Sequence, residues 1–302
     1  MKRFAMLVAS LALTSAAGAF AAGRGRAPDA APDETVYLPS ADGQTELVGY
    51  LFKPGGPGPH PAVVMQHGRA GPYSSNVNAG CTTVARDRRS PCDARTLSRR
   101  HLLWGHYWAG RGYLALLVDS FGPRGKAQGF GRGTHDDPAR DSVNERTVRP
   151  QDAIGALRWL RGRSDVDGQR VLLQGWSNGA STVLNTVADG PALRAAWADT
   201  APFRAAVALY PGCGPTAVTE RRYATAVPLL VLLGDADEEV SPDVCARLLA
   251  GAAERGQATV RRYPGASHDF DDPGRQGNPA NAAARQAAFE EVERLVGQAL
   301  GR

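Results

Sequence analysis

The segment Gly175-Trp176-Ser177-Asn178-Gly179 sets a serine between two glycines, directly after the apolar run Val171-Leu172-Leu173. A strand is expected before this G-x-S-x-G pattern and a helix after it. A sharp strand-to-helix turn lifts the serine hydroxyl above a sheet, at a helix N-terminus that favours developing negative charge. With 35 glycines among 302 residues the pattern alone is only suggestive, because a structural serine in a glycine-rich turn has the same local sequence. A serine hydroxyl is a weak nucleophile without a base, and the base needs an orienting acid.

Both partners follow in the order Ser, acid, His. The apolar run Pro228-Leu229-Leu230-Val231-Leu232-Leu233 leads into Gly234-Asp235-Ala236-Asp237-Glu238-Glu239. A later strand leads into Pro264-Gly265-Ala266-Ser267-His268-Asp269-Phe270. Of six histidines, His268 sits in the turn after the last expected strand. Asp237 is the preferred acid, with Asp235, Glu238 and Glu239 as rivals. The oxyanion needs two donors. The backbone N–H of Asn178 supplies one. The turn His67-Gly68-Arg69-Ala70-Gly71 supplies the other, with Arg69 N–H preferred. His67 is read as a hydrogen bonder that steadies this turn. Asp119 is read as structural, and Arg124 as a partner for an acid.

These residues need a scaffold of alternating elements. Strands are expected at 46–52, 62–66, 113–118, 171–173, 205–209, 228–233 and 259–263. Helices are expected at 95–109, 150–162, 178–188, 242–254 and 281–300. Short apolar strands alternating with helices indicate a parallel sheet covered on both faces. Ligands bind such sheets at the C-terminal strand ends. The stretches 71–93 and 120–149 are long and irregular, and both should overhang that same edge.

Taken together, the residues resemble the α/β-hydrolase fold and, within it, the dienelactone hydrolase family, over roughly residues 35 to 300. The resemblance rests on His67-Gly68, on Val118-Asp119-Ser120-Phe121-Gly122-Pro123-Arg124-Gly125, and on the serine, acid and histidine segments above, the last extended by Tyr263. It implies one domain with a mostly parallel, doubly wound sheet. The family's nucleophile, acid and base positions map to Ser177, Asp237 and His268. In the enzymes that name the family the nucleophile is a cysteine, assisted by a glutamate in the first oxyanion loop. Here those places hold Ser177 and Gly68. What carries over is the fold and serine-type hydrolysis of an ester or lactone.

The composition narrows the classes. The chain is 43% hydrophobic and 22% charged, which excludes a disordered chain. Its positive charge is mostly arginine spread among acids, with lysine only at Lys2, Lys53 and Lys126, so no nucleic-acid partner is expected. Met1-Lys2-Arg3, the apolar stretch 4–20 and Ala19-Phe20-Ala21 have the layout of a signal peptide over residues 1–21, with Ala17-Gly18-Ala19 as an alternative cleavage site. A retained anchor is the rival. Residues 22–34 read as a flexible leader and 35–302 as the folded domain. Loss of Lys2 and Arg3 would take the net charge from +5 to +3. Export to the periplasm or beyond favours disulfides, preferentially Cys81–Cys92 and Cys213–Cys245, with free thiols as the rival.

No metal or organic cofactor is implied, since neither G-x-G-x-x-G nor H-E-x-x-H occurs. The expected partner is a small ester or lactone. Hydrolysis should need neutral His268 and decline at acid pH. A peptidase or acyltransferase on the same fold, and an inactive secreted binding protein, are the competing functions.

Overall fold

Leu114–Asp119 and Leu229–Gly234 are apolar at nearly every position, and all their residues are buried. Strands of that kind need cover on both faces, which parallel sheets receive from crossover helices. The computed structural model, which describes residues 29–74, 80–134, 137–190, 195 and 202–301, has this arrangement. Among the described residues, eight strands form one sheet. They are β1 (Glu34–Pro39), β2 (Glu46–Phe52), β3 (His60–Gln66), β4 (Leu114–Asp119), β5 (Val166–Trp176), β6 (Ala206–Leu209), β7 (Leu229–Gly234) and β8 (Ala258–Tyr263). Their order is β1-β2-β4-β3-β5-β6-β7-β8. The β1–β2 and β2–β4 pairs are antiparallel and the rest parallel.

Among the described residues, five helices cover the sheet: α1 (Arg99–Gly110), α2 (Val148–Arg161), α3 (Asn178–Val187), α4 (Pro242–Glu254) and α5 (Pro279–Leu300). Side chains alternate across each strand. Val64, Leu116, Leu173 and Val231 meet Leu157 of α2, Val183 of α3 and Leu249 of α4. Met65, Leu117, Leu172 and Leu232 meet Trp104 and Trp108 of α1 and Val292 of α5. The mostly parallel, doubly wound sheet expected from the sequence is therefore present.

Two expectations change at their edges. Strand β1 was not foreseen. It is a short edge strand in which only Val36 and Leu38 are buried, so its pattern is weak. The chain is already fastened before it. Asp33 N–H donates to Leu51 O at 2.8 Å, and the Asp33 carboxylate accepts from Lys53 N–H. The expected signal peptide lies outside the described residues. The helix expected at 95–109 is split into a short turn, Ala94–Thr96, and α1. Asp93 and Thr96 cap the turn reciprocally, and Ser98, extended at ψ 147°, caps α1.

The two long stretches do meet over one edge. Ala127 N–H donates to Thr82 O, and Val84 N–H to Gly122 O. Both disulfides are formed, Cys81–Cys92 and Cys213–Cys245. The second ties the segment after β6 to α4. No helix among the described residues is long and apolar enough to cross a membrane. Cross-linking constrains the unfolded chain. Replacing both Cys213 and Cys245 by serine is expected to lower unfolding free energy by about 2–4 kcal/mol. Urea denaturation under non-reducing conditions would read this as an earlier midpoint.

Candidate active site

Ser177 closes β5 and opens α3 with φ 52° and ψ −118°, in the region that L-residues avoid. Such a conformation costs roughly 1–3 kcal/mol and persists only where the surroundings impose it. Two glycines allow it here. A Cβ on Gly179 would lie 2.0 Å from Gln66 O, and one on Gly175 would lie 2.3 Å from Gly179 O. The turn is locked from the other side by Ser177 N–H, which donates to Leu209 O at 2.9 Å. Ser177 is 8% exposed and lines a cavity.

The loops after β7 and β8 converge on this hydroxyl. His268 Nε2 is 3.0 Å from Ser177 Oγ, and His268 Nδ1 is 2.8 Å from Asp237 Oδ2. Asp237 Oδ1 accepts from the Glu239 and Val240 amides at 2.8 and 2.9 Å, which fixes the carboxylate. His268 and Asp237 are almost fully buried, at 2% and 1% side-chain exposure. The rivals for the acid position go elsewhere. Asp235 pairs with Arg262. Glu238 accepts from His268 N–H. Glu239 lies 3.8 Å from His268 Nε2 and is held by Arg69 Nε and Nη2 at 3.1 and 2.8 Å.

The turn after β3 faces Ser177. The Cβ position of Gly68 is 3.6 Å from Ser177 Cβ. Among the described residues, neither the Asn178 nor the Arg69 backbone N–H has a protein acceptor. His67 holds this turn, as expected. Its Nδ1 is 2.8 Å from Gly68 O and its Nε2 accepts from Ser120 N–H at 3.3 Å. Burial, with Arg149 nearby, pushes His67 well below the usual histidine range, so the ring is neutral. Asp119 is structural. Its carboxylate accepts from the Phe121 and Gly122 amides and from Tyr73 Oη. Arg124 pairs with Asp152 through two bonds of 2.8 Å.

A family model described as the dienelactone hydrolase family matches residues 101–300. The chain belongs to that family. Its fold recurs in solved structures at low identity. A candidate dienelactone hydrolase from Klebsiella pneumoniae superposes with a TM-score of 0.63 at 17% identity, over 88% of this chain and 98% of that one. A dienelactone hydrolase-like promiscuous phosphotriesterase from metagenomic libraries gives 0.61 at 22%, over 88% and 97%. Esterase 2 of Thermogutta terrifontis, phosphonylated by cyclosarin, gives 0.60 at 19%, over 90% and 98%. The architecture is thus that of the α/β-hydrolases.

Several residues that hold this dienelactone hydrolase-family site were not foreseen. Arg149, fully buried at the start of α2, donates to Asn178 Oδ1, to His67 O at 2.7 Å and to Gln66 Oε1 at 3.3 Å. It bridges the two sides of the serine. Burial pushes it down to about 10, so it stays charged near neutral pH. Asp271 is buried and accepts from Trp104 Nε1 at 2.7 Å, Trp176 Nε1 at 2.9 Å and Tyr210 Oη. Tyr210 in turn stands edge-on to His268, with ring centroids 4.7 Å apart. Asp271 therefore joins the residue before the serine to the ring beside the histidine. The Asp269-Phe270-Asp271-Asp272 run was a visible signal, but not which carboxylate turns inward.

The cavity beside Ser177 measures about 210 Å³. Glu239, His268 and Asp269 approach within 4.8 Å of one another, close enough to share a cation. Both carboxylates are already matched by guanidinium groups, Glu239 by Arg69 and Arg132 and Asp269 by Arg100. The cluster is an ion-paired wall rather than a set of free ligands.

His101 also lines the cavity, and burial with Arg100 beside it pushes the ring down to about 4 from 6.5. Below pH 6.5 the unfolded chain takes up a proton that folded His101 refuses, so stability is full above that pH and is lost as pH falls towards 4. The thermal midpoint advantage of wild type over His101→Phe should shrink across that window, as read by calorimetry at stepped pH. Taking the difference separates His101 from Asp119 and Asp271, which burial pushes upward and which act in the opposite sense. A difference independent of pH would contradict a neutral buried ring.

Proposed function

We propose that the protein is an exported serine hydrolase that cleaves carboxylic esters or lactones through an acyl-serine intermediate, with residues 35–302 as its folded domain. The observation that carries this reading is the hydrogen-bonded chain from Asp237 through His268 to Ser177, with the serine held on a strained turn. Ser177 Oγ attacks the substrate carbonyl while His268 Nε2 accepts its proton. Asp237 accepts the Nδ1–H bond, keeps the ring oriented and stabilises the imidazolium. The Asn178 and Arg69 amides, which have no acceptor among the described residues, donate to the tetrahedral oxyanion. His268 then returns the proton to the leaving alkoxide, and water attacks the acyl-serine with His268 as base again. Membership of a hydrolase family and the likeness to an esterase support ester chemistry. Two disulfides and the N-terminal pattern support export to an oxidising compartment.

The small cavity favours short acyl groups. Purified protein should hydrolyse p-nitrophenyl acetate faster than long-chain p-nitrophenyl esters. Ser177→Ala should abolish both turnover and covalent labelling by a fluorophosphonate. Asp237→Asn should lower kcat by roughly 10³- to 10⁴-fold with little change in KM. Folded wild-type protein that neither turns over nor labels would exclude the hydrolase reading in favour of a binding protein.

A further inference from the structure

The wall of the cavity has a chemistry that the ester reading does not use. Arg100 reaches it at 12% side-chain exposure and binds Asp269 at 2.8 Å and Asp272 at 3.0 Å. Arg69 and Glu239 form a second ion pair on the same wall. His101 is 3% exposed, and its Nδ1 lies 2.8 Å from Pro72 O, so Nδ1 carries the proton and Nε2 is an acceptor. That Nε2 has no hydrogen-bond partner among the described residues. Burial pushes the ring down to about 4, so Nε2 stays an acceptor at neutral pH.

An apolar group of any length fits this wall badly. It would displace water from ion-paired carboxylates and guanidinium groups with nothing to replace it. An anionic group meets three carboxylates, Glu239, Asp269 and Asp272, against two guanidinium groups, Arg69 and Arg100. A neutral group rich in hydroxyls satisfies both kinds of partner. Each hydroxyl donates to a carboxylate or to His101 Nε2 and accepts from a guanidinium N–H. We propose that this cavity selects esters of short acyl groups with polyhydroxylated alcohols, the ion pairs and His101 Nε2 binding the hydroxyls. The proposal rests on the serine-hydrolase reading and adds the substrate class to it.

Glycerol monoacetate and propyl acetate share the acetyl group and a three-carbon alcohol, and differ in two hydroxyls. Their kcat/KM ratio, divided by the ratio of their alkaline hydrolysis rates, isolates recognition of the hydroxyls. The glycerol ester is expected to be favoured at least tenfold. His101→Phe keeps a flat ring against Trp176 and removes the acceptor, so it should cut that preference at least threefold. Asp272→Ala, at a more exposed position, should do the same if the first variant does not fold. A corrected wild-type ratio near one, with p-nitrophenyl acetate still hydrolysed and the activity lost in Ser177→Ala, overturns the substrate class alone. A wild-type preference that survives in both variants overturns its assignment to this wall. Absence of turnover on every ester overturns the hydrolase reading and this inference with it.

Discussion

The close approach of three backbone segments at Ser177 governs this structure. Gly179 sits where any side chain would run into Gln66 O and His67 O, and Gly175 sits against Gly179 itself. That contact brings the end of β3, the end of β5 and the N-terminus of α3 to one point. It holds Ser177 at a positive φ, turns its hydroxyl towards the cavity and sets the turn containing Arg69 opposite. The strain, roughly 1–3 kcal/mol, is small beside the burial of a sheet covered on both faces. Arg149 completes the junction, because one guanidinium bonds to residues on both sides of the serine.

Around this point the loops are joined by charge. Arg69 links the turn after β3 to Glu239 in the loop after β7, and its Nη1 also donates to Phe130 O in the long stretch after β4. Arg100 links α1 to the segment after His268 through Asp269 and Asp272. Buried ion pairs add little net stability, since desolvation offsets much of their attraction. They do penalise misplacement strongly, because a displaced loop would leave a charge buried without its partner. The charges therefore act chiefly on geometry, holding separate loops in register over the serine.

A second polar chain lies beneath the site. Tyr50, Tyr73 and Asp119 are hydrogen-bonded in series, and Asp119 also caps the turn of Phe121 and Gly122. His67 adds the contact to Ser120. The turn after β3, where Gly68 stands, is thus supported from behind by hydrogen-bonded groups. A serine hydroxyl has too high a proton affinity to ionise as a thiol does, so in the proposed mechanism it depends on His268 for activation.

The sequence alone determined the order of strands and helices over most of the chain, the turn around Ser177, and the loops carrying Asp237 and His268. These are local matters. An apolar run bounded by glycines becomes a buried strand wherever it lies, and G-x-S-x-G owes its meaning to five neighbouring residues. Strand β1 escaped because an edge strand with two buried side chains barely departs from a loop in composition. The break before α1 escaped because a cap at Ser98 decides it against an otherwise helical pattern. Only the tertiary structure decided which charges meet. Arg69 and Glu239 are 170 positions apart, Arg100 and Asp272 are 172 apart, and each arginine had many acids to choose from. Nothing in the local sequence marks Arg149 or Asp271 as buried, yet the packing of α1 and α2 buries both. Local pattern reports which face of an element is apolar. Partner choice depends on where the sheet order brings distant loops together, and that order is set by the packing of the whole chain.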